Sequence, residues 1–79
     1  MAERIETRED LAEFLKVAAS DLEINRQAWE NDSLGSFLSA WSAWVLDCPG
    51  WFAARSEIVP EVPTWQLIGQ MVLAARVYE

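Results

Sequence analysis

The sequence predicts an all-α domain of three helices, and three observations support this prediction. Apolar residues recur at helical spacing in three segments, each opened by residues that can cap a helix. Strand-like alternation is confined to residues 58–61, which are too few to build a sheet. The 79 residues include five tryptophans. Each buried indole removes about 150–250 Å² from water, so one domain spanning residues 1–79 can close a core.

The first helix is predicted over about residues 7–24. Thr7 can accept hydrogen bonds at its start, and Asp10 stands three residues later, as in a capping box. The remaining positions are mostly charged or polar, so we expect an outer, solvated helix that ends near Asn25. A short connector at residues 26–30 follows and carries Trp29. The apolar stripe of the helix consists of Leu11, Phe14, Leu15, Ala18 and Leu22.

The second helix is predicted over about residues 33–47. Asn31, Asp32 and Ser33 are cap-competent residues in succession. The segment Cys48-Pro49-Gly50 is expected to end the helix, because proline disfavours a helical residue before it. The predicted core face is formed by Leu34, Phe37, Leu38, Trp41, Trp44, Val45 and Cys48.

The third helix is predicted over about residues 64–78, with Thr64 as its N-cap. An ordered loop that contains Pro60 and Pro63 separates it from the second helix. Apolar side chains cover about half of its circumference. They are Trp65, Leu67, Ile68, Met71, Val72, Ala74, Ala75 and Tyr78.

Charge and composition exclude several kinds of partner. The formal net charge is -7, and the six basic residues form no cluster, which argues against nucleic acid. The most apolar uncharged run, residues 33–46, is shorter than the roughly 20 residues that cross a bilayer. The charged N-terminal stretch does not resemble a signal peptide, and a lone Cys48 suits a reducing compartment. We therefore expect a cytoplasmic protein with no membrane partner.

The residues needed for common catalytic and metal sites are scarce. The chain has no histidine, and Cys48 therefore has no imidazole to activate it. The three glycines are far apart and form no phosphate-binding loop, and the acidic residues do not match a calcium loop. We expect no catalytic residue, no metal and no cofactor, and hence not an enzyme.

The aromatic residues of the connectors are the first candidates for an interface. Trp29 and the Trp51-Phe52 pair lie between predicted helices, where they serve either the core or a partner, and Trp65 opens the third helix. Asn31 is a further interaction candidate, and it is interpreted first as the cap of the second helix, with Trp29 packed over the same turn. The uncharged second helix and the broad apolar arc of the third predict a homodimer through these two helices.

The sequence also resembles a family of small bacterial proteins that is catalogued as a domain of unknown function. The likeness begins at Trp29-Glu30-Asn31 and covers most of the chain. It continues at Ser33-Leu34, Phe37-Leu38, Ala40, Ala43, Trp44, Asp47, Trp51-Phe52, Pro63-Thr64-Trp65, Leu73-Ala74-Ala75 and a closing Tyr78-Glu79. The resemblance implies a free-standing bacterial protein with no established activity, and it supplies no catalytic residues.

Two functional hypotheses remain open from the sequence. The first is a non-enzymatic protein-interaction module. The alternative is an immunity protein or an antitoxin-like inhibitor that blocks a basic toxin or nuclease surface. Its acidic contacts would be Asp10, Glu13, Asp21 and Glu23.

Overall fold

Three α-helices and one short 3-10 turn make up the regular structure of residues 4–78. The computed structural model describes residues 4–78. Helix α1 spans Arg8–Ile24, the 3-10 turn spans Arg26–Ala28, α2 spans Leu34–Ala54 and α3 spans Trp65–Ala75. No strand occurs between residues 4 and 78. The predicted all-α, three-helix fold is confirmed.

Each helix begins where its capping residue predicts. The Thr7 hydroxyl accepts a hydrogen bond from the Asp10 N–H, and the Asp10 carboxylate accepts from the Thr7 N–H, which completes the capping box. The Ser33 and Thr64 hydroxyls cap α2 and α3 in the same way, through the N–H groups three residues later. Asn25 ends α1 as expected.

The predicted end of the second helix at residue 47 is wrong, because α2 continues through Pro49 to Ala54. Proline lacks the N–H that would bond to the carbonyl of Val45, so the helix loses one hydrogen bond there. Continuation buries Phe52, which extends a four-residue repeat of buried positions on one side of α2. Pro49 itself lies on the exposed side. The buried repeat is Ala40, Trp44, Cys48 and Phe52.

The third helix is shorter than predicted, because α3 ends at Ala75 and not at residue 78. The chain turns there, and the N–H of Tyr78 bonds to the carbonyl of Ala74. The last carbonyl groups of this segment bond to Asn31 of the connector instead of extending the helix. Tyr78 therefore lies in a terminal turn, and the neighbouring Glu79 is outside the described residues, as are residues 1–3.

Helix α3 lies between the other two helices and packs against both. Within residues 4–78, the backbones of α1 and α2 do not approach each other closely. The result is a thin layer with extents of 34 × 28 × 18 Å. The broad apolar arc of α3 is therefore used inside the fold, and an apolar partner is not needed to explain it.

Two apolar clusters form the core, one on each side of α3. The α1 cluster comprises Ile5, Leu11, Phe14, Ala18, Trp29 and Val72. The α2 cluster comprises Trp44, Cys48, Phe52 and Leu67. None of the helices between residues 4 and 78 combines the length and apolarity that crossing a bilayer requires.

The buried face of α2 is rotated from the predicted stripe. Leu34, Leu38 and Val45 were expected in the core, but their exposed fractions are 74%, 52% and 42%. Ala40 is buried instead, and Trp41 is half-buried. The reason is that α2 has one helical neighbour, α3, so only one of its sides can be covered.

The segment before α1 is fixed on α3. The N–H of Ile5 donates to Oε1 of Gln66 at 2.6 Å, and the Ile5 side chain is buried. Gly69 permits this approach, because a Cβ at position 69 would overlap the Cδ1 of Ile5.

Candidate functional site

Trp29 belongs to the core and also takes part in a polar network. Its side chain is 7% exposed and packs 6.1 Å from the ring of Phe37. The indole N–H donates to Oδ2 of Asp21 at 2.8 Å. A large buried aromatic with its one polar atom satisfied stabilises the turn that carries it. The connector tryptophan is thus a structural anchor between α1 and α2.

The Asp21 carboxylate gathers donors from three segments. Besides Trp29, the Asn25 amide donates to its Oδ1 at 2.9 Å, and the Arg76 guanidinium lies 3.9 Å from its Oδ2. The indole hydrogen bond, the Asn25 amide and the Arg76 charge together hold the pKa of Asp21 below its usual range. The guanidinium carbon of Arg76 also lies 5.7 Å from the centre of the Trp29 ring.

Asn31 caps the end of α3 and not the start of α2, so its interpretation as the cap of the second helix is wrong. Its side-chain amide donates to the carbonyls of Ala75 and Tyr78 at 2.9 and 2.8 Å. Its backbone N–H donates to the carbonyl of Arg76 at 2.9 Å. These donors satisfy carbonyl groups that a helix end leaves without intrahelical partners. We call Asp21, Trp29, Asn31 and Arg76 the Trp29 junction.

Tyr78 connects the C-terminal turn to α2. Its hydroxyl donates to the carboxylate of Asp47 at 2.5 Å. That hydrogen bond raises the pKa of Tyr78, because ionisation would remove the donor and set two negative charges side by side. Asn31 and Asp47 therefore hold the same turn from two directions.

The aromatic pair at the end of α2 divides between the core and the surface. Phe52 is buried, whereas Trp51 is half-buried and lies edge-on to Trp44 at 5.8 Å. The Arg55 guanidinium carbon stands 4.5 Å from the centre of the Trp51 ring. Trp65, the fourth aromatic candidate for an interface, is 43% exposed at the start of α3.

The structure does not bring the four acidic candidates together as one free patch. Asp10 is engaged in the capping box and Asp21 in the Trp29 junction. Glu13 and Glu23 are exposed on α1. Asp21 and Glu23 are two residues apart, which corresponds to a rotation of about 200° around the helix axis. Glu23 therefore lies on the far side of α1 from Asp21.

An apolar groove of about 310 Å³ lies between α1 and the start of α2. We call it the α1–α2 groove. Leu15 and Leu22 of α1 form one wall, Leu34 and Phe37 of α2 form the other, and Trp29 and Val72 also line it. Asp32 lines it as well and is exposed. The sequence patterns did not predict this groove, although the residues of both walls belong to the predicted apolar stripes of the first and second helices.

The groove offers apolar contact and little chemistry. Among residues 4–78, no group of three or more histidine, cysteine or carboxylate side chains is placed to hold a metal ion. Cys48 is a free thiol buried in the α2 cluster, on the inner side of the helix. The arrangement can bind an apolar surface, and the adjoining Trp29 junction holds its position.

Comparison with known proteins identifies a family of unknown function. The profile of a family described as "Family of unknown function (DUF7660)" matches residues 7–79, which include the Trp29 junction and the α1–α2 groove. No curated protein and no solved structure matches the chain.

Proposed function

The chain belongs to DUF7660, a family of unknown function, and we propose that it is a non-enzymatic protein-interaction module. In this proposal the α1–α2 groove binds an amphipathic helix of a partner protein. We propose a cytoplasmic location as well, which the single buried thiol of Cys48 supports.

The exposed leucine walls of the groove carry this proposal. Leu34 is 74% exposed and Leu15 is 43% exposed, and both line the same concave apolar surface. Contiguous apolar surface on a small protein is costly in water and commonly marks a binding site. Leu34 makes little contribution to the core, so its burial by a partner is a direct source of affinity.

The dimensions of the groove indicate the partner's contact surface. From Leu15 to Leu22 the groove follows α1 for about two helical turns, roughly 10 Å. A helix that enters it therefore presents apolar side chains over two turns, at spacings of three and four residues.

The charge of the protein indicates the rest of the partner. The net charge of -7, with the exposed Glu30 next to the groove, favours a helix whose outward flank carries lysine or arginine. The acidic-inhibitor alternative shares this preference for a basic partner. It is less favoured than the groove, because it uses Asp10 and Asp21, whose carboxylates are already hydrogen-bonded within the fold.

Fluorescence anisotropy with labelled model helices tests the proposal. The peptides carry leucines at positions i, i+3 and i+7 or i, i+4 and i+7, with lysines on the opposite face, and scrambled peptides serve as controls. Leu34→Glu is expected to weaken binding by about tenfold or more, because a carboxylate buried against apolar walls loses its hydration. Leu34 is the first residue of α2, where a glutamate suits the helix dipole and leaves folding intact.

The matched control is Ile24→Glu, since Ile24 is 76% exposed on α1 and does not line the groove. It should bind the peptides as the unmodified protein does. Equal losses in both variants, or no binding by the unmodified protein to any peptide, would contradict the proposal. A loss caused by Glu13→Gln or Glu23→Gln, with Leu34→Glu unaffected, would favour the acidic inhibitor.

A further inference from the structure

We infer that the chain forms a closed two-fold dimer through the outer face of α2, which we define as Leu38, Ser42, Val45 and Leu46. This inference goes beyond the proposed function, because these residues do not line the α1–α2 groove. It narrows the homodimer expected through the second and third helices to the second helix, because most of the apolar arc of α3 packs against α1 and α2.

The outer face is an apolar surface without a neighbour in the described part of the chain. Leu46 is 79% exposed, Leu38 is 52% exposed and Val45 is 42% exposed. Leu38, Ser42 and Leu46 follow one another at four-residue steps, which places them along one side of the helix. The buried positions Ala40 and Trp44 lie on the opposite side, against α3.

The absence of charge on this face favours a second copy of the chain as its occupant. No residue from 33 to 46 is charged, although the whole protein carries a net charge of -7. Two copies of the face can meet without bringing carboxylates together, whereas a charged partner would find no opposite charge to pair with. Depletion of charge at the contact is typical of the centre of an interface.

The ends of α2 are complementary when two copies cross in opposite directions. A two-fold axis at Ser42 places the C-terminal end of one α2 beside the start of the other. This antiparallel arrangement pairs the positive end of each helix dipole with the negative end of the other.

Sedimentation equilibrium at tens of micromolar and moderate salt measures the association. We expect a mass of twice the 9.0 kDa chain. Leu46→Glu should reduce it to one chain, because each new carboxylate would be buried against the apolar side chain of Leu38 in the other copy. Ile24→Glu is the matched control, because it adds the same charge at a similarly exposed aliphatic residue of α1. This variant should remain a dimer. Leu15→Glu changes the α1 wall of the groove and should also remain a dimer, which separates this test from that of the groove.

Disulfide trapping fixes the position of the axis. In Ser42→Cys the two sulfur atoms should join rapidly under mild oxidation, since bridged Cα atoms lie about 4.4–6.8 Å apart. Ser20→Cys is the control, as an exposed serine in the middle of α1. Cys48 is buried and should not interfere. A single species at one chain mass, a dimeric Leu46→Glu variant, or equal trapping at positions 20 and 42 would overturn the inference.

Discussion

Helices α2 and α3 have nearly the same chemistry, yet their positions in the fold differ. Both begin at a hydroxyl cap, α3 contains no charged residue, and α2 contains only Asp47. The buried residues of α3 are distributed around it, because it packs against both neighbours. Those of α2 follow one stripe, and its other side faces solvent. The breadth of an apolar arc therefore does not reveal whether a helix is central or peripheral.

The glycines of the two helices differ in the same way. Gly69 of α3 lies under the side chain of Ile5, whose Cδ1 would have to shift to admit a Cβ. Gly35 and Gly50 of α2 have open space where a Cβ would stand. A central helix thus uses glycine for close packing, whereas on the peripheral helix the same residue only lowers helix propensity.

The largest expected effect separates the two sides of α2. Trp44→Ala should lower the free energy of unfolding by about 3–5 kcal/mol, as buried aromatic truncations do. Leu46→Ala should change it by less than about 0.5 kcal/mol, because that side chain is exposed in the single chain. Trp41→Ala should cost less than Trp44→Ala, since Trp41 is half-buried.

Urea unfolding at low micromolar concentration measures all three variants. Similar midpoints for Trp44→Ala and Leu46→Ala would show that α2 has no inner and outer side.

The next effect concerns how the end of α3 is held. Asn31→Ala should cost about 1–3 kcal/mol, because it leaves the part-buried carbonyls of Ala75 and Tyr78 without donors. Asn25→Ala is the matched control and should cost less, since it removes one exposed hydrogen bond to Asp21. Amide chemical shifts should change at residues 75–78. Changes confined to the start of α2 would restore the interpretation of Asn31 as the cap of that helix.

The glycine contrast gives effects of opposite sign. Gly50→Ala should raise the free energy of unfolding by about 0.5–1 kcal/mol through helix propensity. Gly69→Ala should lower it by about 1 kcal/mol, because Ile5 is displaced from the α1 cluster. Combined with Ile5→Ala, the same Gly69→Ala change should become stabilising, and a thermodynamic cycle measures this coupling. Additive effects would mean that Ile5 and Gly69 do not pack together.

The smallest effect is a dependence on acid pH that originates at the Trp29 junction. The pKa of Asp21 is lower in the folded chain than its usual 3.8. Its contribution to stability is therefore present above the unfolded pKa and is lost as the pH falls through the folded pKa. Urea midpoints from about pH 5 to about pH 2.5 should fall less steeply for Asp21→Asn than for the unmodified protein. Glu13→Gln is the control. An equal change of the pH dependence in Asp21→Asn and Glu13→Gln would show that the effect does not originate at Asp21.

Features that depend on neighbouring residues could be predicted from the sequence. The caps at Thr7, Ser33 and Thr64 act on N–H groups three residues away, so their pattern is visible locally. Pro49 misled the prediction for α2, because a local rule about proline competes with the burial of Phe52 against another helix.

Features that depend on distant partners could not be predicted. Asn31 bonds to carbonyls 44 and 47 residues away, and nothing beside it in the sequence identifies them. The α1–α2 groove exists because α1 and α2 lie on opposite sides of α3, and helical periodicity does not specify that order. Periodicity alone placed Leu15 and Leu34 in the core, yet they form the walls of the groove.

The hydrogen bonds of Asn31 impose an order of events during synthesis of the chain. A ribosome makes α1, the connector and α2 before residues 75–78, which supply the acceptors for Asn31. Until then the carbonyl groups that accept hydrogen bonds from Asn31 are absent. The leucines of α1 and α2 are meanwhile exposed to chaperones and to other nascent chains. The closure between these distant segments can therefore follow only after the first two helices have been synthesised.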